Sequence, residues 1–174
     1  MNPNRMVWGT CDGTGAVINV CLGFIPKYVM LRNLEDSDSG WPSIEWMNPC
    51  FRAITDADEG VKNIDDGSQV HRTLLAADGI SVYAGGDEIN YDGATDGKWE
   101  NAAGDDVEEV YVDGHYTRDA SGDTAYKCIG DKMLGRTPAA TDNGIKFKTP
   151  PGFTIGVDAD INADTEQLIW MAIG

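Results

Sequence analysis

Hydrophobic and polar positions alternate along this chain in short segments, which is the pattern of β-strands. The segments are rich in valine, isoleucine, threonine and aromatic residues, and no long window holds the 3.6-residue period of a helix. Asp-Gly or Asn-Gly dipeptides, which tolerate the positive φ angles of tight hairpins, occur at 12–13, 66–67, 78–79, 92–93, 96–97, 113–114 and 143–144. The pattern predicts an all-β fold: an antiparallel, jelly-roll-like β-sandwich with long acidic loops, forming a single domain over residues 1–174.

The first two segments predict a hairpin. Residues 6–11 and 16–21 alternate and flank an Asp-Gly turn, so we expect them to pair with each other. In that register Cys11 lies on a small, apolar face that should be buried, and Trp8 lies on the opposite face. Cys11 and Cys21 then project from opposite faces, which argues against a disulfide between them.

The middle of the chain, residues 35–144, is predicted to be rich in loops. One strand is expected just before this region, at residues 28–33, and others within it at 43–47, 80–83, 107–112 and 124–129. The stretch at 87–104 is the most polar and is interpreted as an excursion from the core. Segments of this length either perform a function or contain strands that the pattern does not reveal, and both interpretations stay open.

The last eight residues, 167–174, are apolar on both faces. A strand of this kind is either central and covered or lies at a subunit interface. A short helix capped at Asp164 is the competing interpretation, but β-branched and aromatic residues favour a strand. We therefore hypothesise a subunit interface that contains Leu168, Ile169, Trp170, Met171, Ile173 and Trp8.

Apart from Trp8, the tryptophans fall into two groups according to their neighbours in the sequence. Trp46 and Trp170 alternate with apolar neighbours and are expected in the core. Trp41 and Trp99 lie in polar turn contexts, so they are the candidates for exposed contacts. Tryptophan is enriched at the energetic centres of protein interfaces, which favours protein–protein contact over sugar stacking.

Charge excludes several partners. The 174 residues contain 13 Lys and Arg against 29 Asp and Glu, a net charge of −16. Like charge repels nucleic acid and anionic membrane surfaces, so neither is expected as a partner. No secretory signal and no apolar run of membrane-spanning length is present, which predicts synthesis in the cytoplasm.

Candidate chemistry is sparse. The spacing of the first half of a calcium loop is met by Asp158, Asp160, Asn162 and Asp164. The match then fails, because the sixth position is Ala163 and the twelfth is Ile169, so the segment is interpreted as a solvated acidic connection. The cysteines form no CxxC pair, and no Gly-x-Ser-x-Gly elbow occurs. We expect no catalytic residue, no metal, no cofactor and no enzyme activity.

Residues 22–29, Leu-Gly-Phe-Ile-Pro-Lys-Tyr-Val, resemble the GF-x-P-x-Y-V strand of small β-sandwich structural proteins in tailed-bacteriophage virions. Similar later strands are found at 44–47, 79–83, 152–156 and 170–172. The resemblance implies a virion protein of the capsid decoration or head-fibre type, often a homotrimer. It would be made in the host cytoplasm and would lie on the capsid exterior, bound to the phage major capsid protein. The resemblance carries over no functional residues.

Three functions follow as expectations. The first is a capsid decoration, or cement, protein that binds the outer head surface and stabilises it. The alternative is a tail-fibre or receptor-binding module that recognises host surface glycans, although the sequence contains no repetitive shaft. An acidic glycoside hydrolase is the third and the least favoured, because the clustered carboxylates lie in open, polar sequence.

Overall fold

The described part of the chain is built from strands. The computed structural model describes residues 5–36, 40–48, 59–65, 67, 70–92, 98–100, 109–112, 115–118, 125–128 and 143–174. Every regular element in these residues is a β-strand, which confirms the all-β prediction. Over the same residues, no helix has the length and apolar character needed to cross a membrane.

Six strands form the first sheet, and every neighbouring pair in it is antiparallel. In order across the sheet, they are β1 (Met6–Asp12), β15 (Gln167–Ile173), β3 (Tyr28–Asn33), β4 (Ser43–Met47), β5 (Gly60–Asp65) and β6 (Val70–Leu75). The two ends of the chain therefore meet as neighbouring strands.

Within the described residues, nine further strands form two more sheets. The second sheet contains, in order, β11 (His115–Arg118), β10 (Glu109–Val112), β12 (Ala125–Cys128), β2 (Ile18–Cys21), β14 (Gly152–Ile155) and β7 (Ile80–Tyr83). The third contains β13 (Asn143–Lys148), β8 (Glu88–Asp92) and β9 (Lys98–Glu100). Pairing is antiparallel except at β12, which runs parallel to both β10 and β2.

Side chains of the first and second sheets share one hydrophobic core. Its members include Val29, Leu31, Ile44, Trp46, Leu168 and Trp170 from the first sheet and Ile18, Val20, Ile80, Phe153 and Ile155 from the second. The Phe153 and Trp170 rings meet edge to face, with centroids 5.6 Å apart. Gly9 lies opposite Trp170 in β1, where a Cβ would approach the indole Cζ2 atom to 2.5 Å, so the packing requires glycine.

The predicted hairpin of the first two segments is wrong. β1 pairs with β15 in the first sheet, whereas β2 belongs to the second sheet. The connection from β1 to β2 passes from the first sheet to the second and is held by hydrogen bonds to the loop that contains Asn162. Gly15 N donates to Asn162 O at 3.1 Å, and Thr14 N donates to Asn162 Oδ1 at 3.0 Å. The predicted faces of β1 are confirmed, because Cys11 is buried and Trp8 is exposed. Cys11 and Cys21 are buried in different sheets with no disulfide between them.

Strands fill much of the middle of the chain. β7 has the predicted bounds, and β10 and β12 lie within predicted segments. β5, β6, β8, β9 and β11 were not predicted, and two of them, β8 and β9, lie inside the supposed excursion at 87–104. Of the two interpretations left open for the long segments, the structure supports unrecognised strands.

Candidate interaction surface

The last strand divides its side chains between the core and the outside. β15 lies between β1 and β3. Leu168 and Trp170 point into the core, and because at most 1% of either residue is exposed, neither can contact a partner. Ile169, Met171 and Ile173 point to the other side and are partly exposed. Of the five β15 residues assigned to an interface from sequence, only these three face outwards.

Cross-strand pairing extends this outer side across the whole first sheet. In the centre, Trp8 lies opposite Met171, which lies opposite Met30. The row continues through Glu45 and Val61 to Leu74. A second row contains Met6, Ile173, Tyr28 and Met47, and a third contains Thr10, Ile169, Arg32, Ser43, Asn63 and Arg72. We call these three rows the Trp8 face.

The apolar side chains of the Trp8 face are large and exposed. Trp8 is 71% exposed and Met6 is 64% exposed, while Met30, Met47 and Ile169 are each more than one-third exposed. Directly opposed residues on one sheet face have Cβ atoms about 5 Å apart, so these side chains form one patch and are not scattered singly. Contiguous apolar patches of this kind mark interaction sites in soluble proteins.

Seven of the sixteen residues in the three rows of the Trp8 face are polar, and some of these are paired. Burial, followed by the charge and hydrogen bonding of Glu45, raises the pKa of Tyr28. Arg72 Nε donates to Asn63 Oδ1 at 2.9 Å. Glu45 is the single acidic residue in the three rows, although the chain contains 29. The face is therefore much less acidic than the protein as a whole.

Sequence reasoning found only part of this surface. Trp8 and the outward residues of β15 were singled out from their pattern, whereas Met6, Met30 and Met47 were not. The alternation of β3 places Met30 on the side opposite Leu31, and this was the available signal. Its meaning required the sheet order, which places β3 and β4 beside β15.

The two tryptophans predicted as exposed contacts lie elsewhere. Trp41 is 55% exposed and has a φ of 56°, a left-handed conformation that is uncommon for a residue other than glycine. Its backbone N–H donates to Asp36 O at 2.8 Å. Trp99 lies in β9 opposite Tyr91. The Trp99 side chain lies outside the described part of the structure.

The segment with calcium-loop spacing is organised around a lysine. Lys62 in β5 is buried, and its Nζ lies 2.6 Å from Asp158 Oδ2 and 2.7 Å from Asp160 Oδ2. The buried Asn162 side chain donates to Ala16 O and Gly156 O at 2.6 and 2.7 Å. The expectation of a solvated connection is therefore wrong at these positions. Among the described residues, no group of three or more His, Cys, Asp or Glu could hold a metal ion.

Comparisons with known proteins return no relative: no family model matches the sequence, and neither a curated protein nor a solved structure matches the chain.

Proposed function

We propose that this chain is a structural protein of a tailed-bacteriophage virion, a capsid decoration protein that binds the outer head surface and stabilises it. In this proposal the protein acts by binding other proteins of the virion, and it has no catalytic role. The Trp8 face is buried against protein in the assembled particle. The protein has two partners in this proposal: other copies of itself and the major capsid protein. The assembled copies contact the major capsid protein.

The observation that carries the proposal is the exposed apolar surface of the Trp8 face. Burying one large apolar side chain contributes about 1.5–3 kcal/mol, so burial of Trp8, Met6 and the other exposed apolar side chains of the patch is the main favourable term for docking. Tryptophan and methionine are enriched in the cores of protein interfaces, where charged residues are depleted. The Trp8 face contains Trp8 and the four methionines Met6, Met30, Met47 and Met171, and its charged residues are Arg32, Glu45 and Arg72.

Two further features support the phage assignment. The shared core of the first and second sheets is compatible with a β-sandwich of jelly-roll type, the architecture that the sequence resemblance implies. The net charge of −16 would keep many copies soluble and apart until they dock. On a symmetric particle, repetition multiplies a modest contact into strong overall binding.

Localisation on purified virions tests the proposal. We expect an antibody against the chain to label the whole head surface in electron microscopy of the phage that encodes it. We also expect Trp8→Ser to lower the number of copies retained per particle at least about tenfold, because the variant loses the largest apolar contact. Val157→Ser, which changes an exposed apolar residue outside the Trp8 face, is the matched control. Label confined to the tail, or unchanged retention of Trp8→Ser, would contradict the proposal.

A receptor-binding module is the second candidate, and Trp41 is the observation that favours it. A non-glycine residue with positive φ costs about 1–3 kcal/mol, and strained residues of this kind concentrate at functional sites. An exposed indole also offers a flat apolar surface on which a sugar ring can stack. This candidate predicts saturable binding to a glycan array that Trp41→Ala abolishes; no binding by the wild-type chain would eliminate it.

A further inference from the structure

We propose that the Trp8 face binds the Trp8 face of a second copy of this chain in a two-fold pair. Each strand of one copy runs antiparallel to the same strand of the other copy across the interface. The inference rests on the proposed role of the Trp8 face in protein contact and names its occupant. It predicts a pair, in place of the trimer that the sequence resemblance implies.

One end of the Trp8 face is basic. Arg5 precedes β1 and accepts a hydrogen bond from Gly174 N at 2.8 Å through its backbone oxygen. Lys27 precedes β3, and its backbone N–H donates to Ile173 O at 2.7 Å. Both side chains are exposed, and the Arg5 guanidinium lies over the Phe24 ring, 5.8 Å from its centroid. The starts of β1 and β3 thus bring two cations to the same edge of the patch, beside the end of β15. We call Arg5 and Lys27 the basic end.

The other end of the Trp8 face carries three acidic residues beyond the third row, which itself contains Arg32 and Arg72. Asp12 ends β1 opposite Gln167. Gln167 N donates to Glu35 Oε2 at 3.3 Å, so the exposed Glu35 lies beside the same residue. Asp36 follows it directly. The six residue steps from Met6 to Asp12 separate the two ends by about 20 Å. We call Asp12, Glu35 and Asp36 the acidic end.

This polarity selects one way of packing two copies. Face-to-face pairing about a two-fold axis requires the axis to lie within the interface. An axis parallel to the strands would bring basic end to basic end and acidic end to acidic end. An axis that runs across the strands brings each basic end against the partner's acidic end. Opposite charges then meet at both edges while the apolar rows are buried between them, which is electrostatic complementarity of the face with itself.

The size of the Trp8 face fits a pair. Six strands at a spacing of about 4.8 Å, and seven residues at about 3.4 Å, give a flat footprint on the order of 700 Å². A stable protein interface buries about 800 Å² on each partner. Away from this face the negative charge of each copy opposes other contacts, so association through the face closes at two copies.

Charge reversal with mixing tests the proposal on the purified full chain by sedimentation equilibrium. Variant one carries Arg5→Glu and Lys27→Glu, and variant two carries Asp12→Lys and Glu35→Lys. We expect the wild type to form dimers and each variant alone to dimerise at least about tenfold more weakly, because like charges meet at both edges. An equimolar mixture should recover dimers, since opposite charges meet again at both edges.

Lys148→Glu, which adds negative charge outside the Trp8 face, should dimerise like the wild type, and thermal melting of each variant confirms that it is folded. A monomeric wild type, undiminished dimers of the single variants, or a mixture that fails to pair would overturn the two-fold pair. The particle-labelling experiment is independent: head labelling with a monomeric purified chain would reject the pair and retain the decoration function.

Discussion

At the scale of single residues, Lys62 shows what sequence spacing conveys and what it omits. The spacing of Asp158, Asp160 and Asn162 was interpreted as a solvated connection, but Asp158 and Asp160 hold a cation. The cation is the Lys62 ammonium, contributed by a strand almost one hundred residues earlier. Spacing within one segment contains no information about such a partner. The charge of Lys62 compensates the carboxylates of Asp158 and Asp160.

The ionisation of Lys62 makes this arrangement measurable. Burial lowers the pKa of Lys62, but the hydrogen bonds and negative charges of Asp158 and Asp160 outweigh it, and the net pKa is raised above 10.5. Because the folded-state pKa is the higher one, the stabilisation is fully present below the unfolded-state pKa. It is lost as the pH rises through the folded-state value.

We therefore expect Lys62→Met to lower the free energy of unfolding by about 3 kcal/mol at pH 7, because it leaves the largely buried Asp158 carboxylate, and the partly exposed Asp160 carboxylate, without a counter-ion. The difference from the wild type should be constant from neutral pH to about pH 10 and should shrink above it. Urea unfolding across this pH range measures it, with the exposed Lys148→Met as control. A difference below about 1 kcal/mol at neutral pH, or one unchanged in strong alkali, would refute the role of the ammonium.

At the scale of elements, the sequence predicted strands better than their partners. Alternation correctly gave β3, β4 and β7, because the period of two is a local property of the chain. The pairing of β1 with β15 depends on contacts between the two ends of the chain, including the hydrogen bonds of Asn162 to the loop after β1. A turn signal at 12–13 could not reveal them, and it led to the wrong hairpin.

The same limit applies to the interaction surface. A strand that is apolar on both faces predicts that both are covered, but the pattern of β15 does not say which face the chain itself covers. Gly9 on β1 and Phe153 on β14 decide this by packing against Trp170. Once Trp170 points inwards, Met171 must point outwards beside Trp8. The candidate surface thus follows from packing partners that are distant in sequence.

At the scale of the whole molecule, charge and apolar surface are segregated. The chain is strongly acidic, yet the three rows of the Trp8 face contain one acidic residue, two arginines and nine apolar residues. Repulsion over most of the surface and attraction at one face is an arrangement that permits association only in a defined orientation. The central claim is that the exposed Trp8 face is a protein interface.

Sedimentation equilibrium of the wild type and Met171→Asp tests this claim most directly. Met171 is central on the Trp8 face, so a buried, unpaired carboxylate there should prevent association. We predict that the wild type sediments as an oligomer of the 18.8 kDa chain, that Met171→Asp sediments as a monomer, and that Val157→Asp, outside the face, behaves like the wild type. A wild-type monomer, or a Met171→Asp variant that keeps the full oligomer, would contradict the claim.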